Sequence, residues 1–228
     1  MEKNLPEALS ESLKEDSVDT LSDVLEVGID AFLDEGVIRD IPILSMVIGI
    51  YRTGKSINDL YLLKKLKVFV CAINDGIASE EVILKYKNKL QDNPKKRQQE
   101  LEYILVLINR YINLEKPEML AKLYLAYIDE IITWDELTIM SEIIDRFLPG
   151  DYDLLKSNHD ISIINDKGTE NALRLISSGL LIDTEPILKD DDLILNCGSS
   201  DDKDRTPETR NHNYSRTRLG DKMTLIIG

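Results

Sequence analysis

Apolar residues recur every three or four positions through most of the first 150 residues, and this spacing is the strongest constraint on the fold. The clearest stretches run from Val18 to Phe32, Leu60 to Ile73, Leu101 to Ile108, Leu120 to Ile131 and Thr133 to Phe147. A period near 3.6 residues lets a helix bury one face against its neighbours. The sequence therefore predicts a mostly α protein with a helical N-terminal domain.

Breaks in this pattern suggest the domain organisation. The dipeptide Pro149-Gly150 is the strongest break, and it separates a helical domain at 17–150 from a C-terminal module at 151–228. The segment 1–16 is an acidic lead that is either a loosely docked helix or disordered. Polar and acidic residues at about 183–213 predict a long flexible loop within the C-terminal module.

Composition excludes several classes of function. The chain is 43% hydrophobic, which is enough for a sizeable core, and its formal net charge is −14. A generally basic surface for nucleic acid or anionic lipid is therefore not expected. The longest apolar run, Ile41 to Ile50, is about half the length of a membrane span. With no secretory signal at the N-terminus, the expected location is the cytoplasm.

Reactive side chains are few. The two cysteines are Cys71, which lies in an apolar run and is expected to be buried, and Cys197. His159 and His212 are the only histidines, and they lack the spacing of metal ligands. We therefore expect no catalytic residues, no metal and no cofactor.

One string suggests a nucleotide site. The phosphate-loop pattern G-x-x-x-x-G-K-[ST] is matched by Gly49, Gly54, Lys55 and Ser56. Such a loop follows a buried strand, and an acid at the end of a second strand, here Asp129, would reach the magnesium ion. Helical periodicity on both sides favours another interpretation, in which Gly54 ends one helix and Ser56 caps the next. Nucleotide binding remains the alternative.

Helical periodicity also yields two local predictions. Asp75 to Ile83 aligns without a gap to Asp129 to Leu137, which suggests a repeated helical hairpin with Ser79 or Thr133 as the N-cap. The lysines of the 60–73 stretch are expected to form a solvated flank of their helix. These lysines are Lys64, Lys65 and Lys67.

Two segments in the last quarter of the chain carry a family resemblance. The first runs from Leu173 to Leu181, and the second is Tyr214-x-x-Thr217-x-Leu219-Gly220, followed by an apolar helix to Ile227. Together they look like the last helix, wing and closing helix of a bacterial winged-helix module. The wing departs from the family pattern because it is far longer and more acidic.

This resemblance implies contact with either DNA or protein. Winged helices commonly place a recognition helix in the major groove and a basic wing on the DNA backbone. The residues that could contact DNA are Arg174, Arg210, Arg216, Arg218 and Lys222. Because Arg174 is the only basic residue on the predicted recognition helix, phosphate neutralisation would be weak, which favours a protein-contacting module.

The sequence thus predicts a non-catalytic cytoplasmic interaction or regulatory protein of bacterial or phage origin. Its general layout is similar to small helical proteins of bacterial and phage genomes, including some in defence or immunity cassettes. A winged-helix DNA-binding regulator and a nucleotide-binding protein are the alternatives. The expected partner is a protein, with weak DNA contact and self-association left open.

Overall fold

A computed structural model describes most of the chain in two compact units. The described residues are 4–13, 41–54, 56–76, 85, 88, 93–148, 150–157, 160–163, 169–184 and 212–228. The N-terminal unit is Met1–Arg146 and the C-terminal unit is Phe147–Gly228, so the division lies beside the predicted break at Pro149-Gly150. The prediction of a mostly α protein is confirmed.

The described part of the N-terminal unit is helical. Its helices are α1 (Leu5–Ser12), α2 (Pro42–Gly54), α3 (Ile57–Gly76), α4 (Pro94–Arg110), α5 (Glu115–Ile128) and α6 (Trp134–Arg146). Helix α3 packs on α2, α4 and α5, while α1 packs on α2 and α4. Buried residues such as Leu66, Phe69 and Tyr124 form the core, and Cys71 is buried as expected. No helix among the described residues is long and apolar enough to cross a membrane.

In the segment 1–16 the described part forms helix α1, which agrees with the docked-helix alternative. Its N-terminus is capped by Asn4, whose Oδ1 accepts a hydrogen bond from a first-turn backbone N–H. Leu9 is fully buried. The Oγ of Ser12 accepts a hydrogen bond of 2.9 Å from the backbone N–H of Ile43. In its described part the segment is therefore a packed helix, because its apolar side chains are buried against α2 and α4.

The turn before α6 has the predicted capping residues. The Oγ1 of Thr133 accepts a hydrogen bond of 3.2 Å from the N–H of Glu136, whose carboxylate accepts one of 2.9 Å from the N–H of Thr133. This reciprocal pair is a capping box. The matching turn at 77–83 lies outside the described residues, so the proposed repeat stays a prediction.

The C-terminal unit combines helices with a small sheet. Its elements are α7 (Asp151–Ser157), β1 (Asp160–Ile163), α8 (Thr169–Ser177), β2 (Leu181–Asp183), β3 (His212–Arg216) and α9 (Arg218–Ile227). The strands are antiparallel in the order β1-β3-β2. Ile161 pairs with Tyr214 in one ladder, and Ile182 pairs with Ser215 in the other.

The predicted loop at about 183–213 is shorter than expected at both ends. Asp183 pairs with Tyr214 in the sheet, and the N–H of Thr184 donates to the carbonyl of Asn213 at 2.8 Å. Both ends of the segment therefore belong to the sheet and its edge. The rest of the predicted loop, 185–211, lies outside the described residues.

Two glycines allow the compact arrangement of the C-terminal unit. Gly179 ends α8 with a φ of +74°, and the N–H of the next residue donates back to the carbonyl of Leu175 at 2.9 Å. Gly220 lies in α9, where an added Cβ would stand 2.3 Å from the carbonyl oxygen of Leu180. A side chain at this position would collide with the backbone that follows α8.

Candidate functional site

Helix α8 occupies the position that the sequence predicted for a recognition helix. Ala172 and Leu175 are buried and attach the helix to its unit. The opposite face is exposed and presents Glu170, Leu173 and Ser177, with Leu173 56% exposed. This exposed face combines a carboxylate, a large aliphatic side chain and a hydroxyl.

Arg174, the arginine of α8, is bound within the unit. Its Nε and Nη2 donate hydrogen bonds to Oδ1 of Asp151 at 3.1 and 2.8 Å. Asp151 is 1% exposed, and its Oδ2 also accepts a hydrogen bond of 2.7 Å from the N–H of Leu148. The hydrogen bonds to Asp151 raise the pKa of the Arg174 guanidinium. Arg174 therefore joins α8 to the start of α7, and its interpretation as a DNA contact loses support.

Arg216, at the end of β3, is also engaged inside the C-terminal unit. Its Nη1 donates to the carbonyl of Leu155 at 3.1 Å, and its Nε lies 3.0 Å from Oδ1 of Asp221. The Arg216 side chain is only 15% exposed. These contacts connect the sheet to α7 and α9.

The other predicted DNA contacts differ in their surroundings. Arg218 is exposed at the first position of α9, and Lys222 is half-buried one turn later. Arg210 lies outside the described residues. The N-terminus of α9 is already capped by Thr217, whose Oγ1 accepts a hydrogen bond of 3.1 Å from a backbone N–H.

The phosphate-loop string has helical geometry wherever it is described. Gly49 lies inside α2, Gly54 is the last residue of α2, and the Oγ of Ser56 accepts a hydrogen bond from the second residue of α3. Asp129 follows α5 and donates its N–H to a carbonyl of that helix. The strand-to-loop geometry of a phosphate site is thus absent from 41–54, because these N–H groups lie in a helix. Lys55 lies outside the described residues.

A cavity that the sequence did not indicate lies in the N-terminal unit, between α1, α3 and α4. Its volume is about 650 Å³. Leu5, Leu62, Leu66 and Leu105 line it together with polar and charged residues of α3 and α4. Val106 is 61% exposed and Ile112 is 81% exposed, and both residues also line the cavity. An accessible aliphatic surface thus borders the cavity.

Lys65 is the buried cation of this cavity. Its Nζ donates hydrogen bonds to the carbonyls of Asn109 at 2.6 Å and Tyr111 at 2.9 Å. The Tyr61 ring centroid lies 5.5 Å from the same Nζ, and the Tyr61 hydroxyl donates to the carbonyl of Ile112 at 2.8 Å. Burial lowers the pKa of the Lys65 ammonium. Among the described residues, the groups that contact the Nζ of Lys65 are neutral.

The prediction that Lys64, Lys65 and Lys67 form a solvated flank is wrong for two of them. Lys65 is 3% exposed and Lys67 is also buried. The physical reason is that α3 contacts α2, α4 and α5, so it is covered on several sides. The sequence contained one indication that these lysines are buried. Apolar and aromatic residues lie on several sides of the helix, among them Tyr61, Leu62, Val68 and Phe69.

The described side chains do not indicate a metal centre. Among the residues that the structure describes, no group of three or more His, Cys, Asp or Glu side chains is arranged to hold an ion.

Comparison of the chain with protein-family models, curated proteins and solved structures finds no match.

Proposed function

We propose that this chain is a non-catalytic interaction protein whose C-terminal unit contacts a protein partner through the exposed face of α8. The observation that carries this proposal is the pairing of Arg174 with buried Asp151, which leaves Glu170, Leu173 and Ser177 on the exposed face of the helix. DNA-binding proteins gain a large share of their affinity by neutralising phosphates with lysine and arginine. An exposed leucine beside a carboxylate is better suited to contact a protein partner than the phosphates of DNA.

The C-terminal unit has a second exposed aliphatic residue on another element. Strand β2, which contacts α8, carries Ile182 with about half of its surface exposed. Along the chain, α8 is followed by the antiparallel strands β2 and β3 and then by α9. This order supports the winged-helix resemblance on which the proposal draws.

A DNA-binding regulator is the alternative, and exposed Arg218 at the start of α9 is the observation that favours it. Fluorescence anisotropy with labelled duplexes from the source genome tests it directly. We expect no saturable binding tighter than about 10 μM at physiological salt, since specific regulators bind far more tightly. Submicromolar binding that is lost in Arg218→Ala would replace our proposal with the DNA function.

The partner is sought by isolating the tagged full-length chain from its source cells after nuclease treatment. The substitution Leu173→Asp adds a charge to the proposed face. Leu225→Asp is the control because Leu225 is an exposed leucine on α9, outside the proposed face. We expect a protein that is retained by the wild type and by Leu225→Asp but lost with Leu173→Asp. Identical proteins on all three chains would show that α8 is not the contact.

A further inference from the structure

The cavity between α1, α3 and α4 has the size and lining of a small-molecule site. Ligand pockets are typically about 300–1,000 Å³, mostly apolar, and contain a few polar groups that fix the ligand's orientation. This cavity is about 650 Å³ and has Leu62, Leu66 and Leu105 in its lining. Asn58 and Asn109 add amides. This cavity lies in the N-terminal unit, and the interaction proposed for the C-terminal unit does not involve it.

Lys65 provides the cavity with a buried positive charge that no described carboxylate balances. An ammonium has three N–H donors, and the carbonyls of Asn109 and Tyr111 take two of them. In the part of the chain that the structure describes, its remaining contact is the Tyr61 ring. Burying a cation without a counter-ion is costly, and the lowered pKa of Lys65 reflects that cost.

The other described charged groups near the cavity do not offer it a second free cation: Arg110 is in ion pairs, Lys64 is not a lining residue and Asp59 is negative. Arg110 lines the cavity, but its guanidinium makes ion pairs of 2.8 Å with both Glu142 and Asp145. Lys64 lies outside the lining residues, 5.9 Å from the Tyr61 ring. Asp59 is the carboxylate among the lining residues and lies near the start of α3, six residues before Lys65. A ligand anion would therefore be attracted by Lys65 and opposed by Asp59.

We propose that this cavity binds a small monocarboxylic acid with an apolar body, whose carboxylate pairs with Lys65 and whose hydrocarbon part covers Leu105 and Val106. A carboxylate compensates the buried ammonium, and an ion pair in a low-dielectric site is stronger than one in water. The apolar body removes the exposed surface of Val106 and Ile112 from water, which favours binding. An amine of the same shape would meet like charge at Lys65.

The experiment measures binding of three probes to the full-length chain by calorimetry, each below its micelle concentration or solubility limit. Decanoate, 1-decanol and decylamine share a hydrocarbon chain and differ in the head group. We expect decanoate to bind at least about tenfold more tightly than decanol, a difference that corresponds to one favourable ion pair. Amide resonances of Val106 and Ile112 should shift during the decanoate titration. Equal affinity for decanoate and decanol, or no saturable decanoate binding, would overturn the proposal.

Variants at the cavity test the role of each group. Lys65→Met should abolish the preference for decanoate over decanol, and Val106→Asp should weaken decanoate binding about tenfold or more. Asp59→Asn should tighten it severalfold because an opposing charge is removed. Ile139→Asp is the matched control, since Ile139 is a comparably exposed residue of α6 outside the cavity.

Lys65→Met leaves two carbonyls without their donor, so this variant must first be shown to fold. If it does not fold, Asp59→Asn and Val106→Asp decide the matter. The proposal is wrong if Asp59→Asn fails to tighten decanoate binding, or if Val106→Asp and Ile139→Asp have the same effect. It is also wrong if decanoate shifts only amides remote from α3 and α4.

Discussion

Two buried lysines of this protein are held by carbonyl groups near the ends of helices. The Nζ of Lys65 binds the carbonyl of Asn109 in the last turn of α4, and the Nζ of Lys116 binds the carbonyl of Asp145 at 2.7 Å in the last turn of α6. The C-terminal end of a helix carries a partial negative charge and unpaired carbonyls. These lysines therefore cap helices to which they do not belong, and they join separate segments of the N-terminal unit.

The ion pair between Asp151 and Arg174 gives a prediction at the residue scale. Asp151→Ala removes the acceptor of the Leu148 N–H and of the guanidinium, so we expect the C-terminal unit to lose about 1–3 kcal/mol of stability. Asp151→Asn keeps one acceptor and should cost less. Hydrogen exchange of the α7 and α8 amides measures the change.

Lys122→Met is the control for this prediction. It breaks an ion pair with Glu118 in which both side chains are substantially exposed, and exposed pairs contribute little to stability. Unchanged exchange of the α7 and α8 amides in Asp151→Ala would show that the pair with Arg174 does not stabilise the unit.

At the scale of the element, the sequence predicted those features that depend on neighbouring residues. The N-cap at Thr133 and the helix end at Gly54 follow from residues within four positions of the helix ends. The burial of Lys65 and the pairing of Arg174 depend on residues far away in the chain, and periodicity alone does not contain that information. The cavity was missed for the same reason, because three helices contribute to it.

Helix α9 gives a prediction that has an internal control of opposite sign. Gly220→Ala places a Cβ against the carbonyl of Leu180, so we expect it to destabilise the C-terminal unit by about 1–3 kcal/mol. Gly49→Ala adds a methyl group in α2 with no atom within 4 Å, and should stabilise the N-terminal unit by about 0.5–1 kcal/mol. Urea unfolding of both variants, followed by amide resonances of each unit, gives the two values. The same sign for both would contradict this account.

At the scale of the whole molecule, buried tyrosines make the stability depend on pH in the alkaline range. The net charge of −14 keeps the surface acidic at neutral pH. Burial raises the pKa of Tyr111 and Tyr127 above the ordinary value of 10.0. The hydroxyl of Tyr111 donates to the carbonyl of Ser141, and that of Tyr127 donates to the carboxylate of Glu100. Ionising either group inside the fold would break its hydrogen bond.

We therefore expect stability to fall as the pH rises above 10.0. In that range the unfolded tyrosines have lost protons that the folded ones keep, so unfolding is favoured. Lys65 acts in the opposite direction, because its folded pKa lies below 10.5 and the unfolded chain binds the extra proton between the two values. Burial also raises the pKa of Tyr103, so the tyrosines outnumber the opposing lysine and the net effect is a loss of stability.

Tyrosinate absorbance and helical circular dichroism, recorded together during an alkaline titration, test this expectation. Part of the tyrosinate absorbance should appear only as the helices unfold. Tyr111→Phe should reduce that part by the absorbance of one tyrosinate. Complete ionisation near pH 10.0 with the helices intact would contradict it.

The pairing of β2 with β3 has a consequence for protein engineering. Asp183 faces Tyr214 in the ladder, so the chain leaves the sheet and re-enters it at neighbouring positions. The entropy of closing a connection between two such fixed points rises only slowly with its length. Added residues between Thr184 and His212 should therefore cost the unit little stability. A reporter domain with adjacent termini can be inserted there, where it would mark the C-terminal unit while both ends of the chain stay free for other labels.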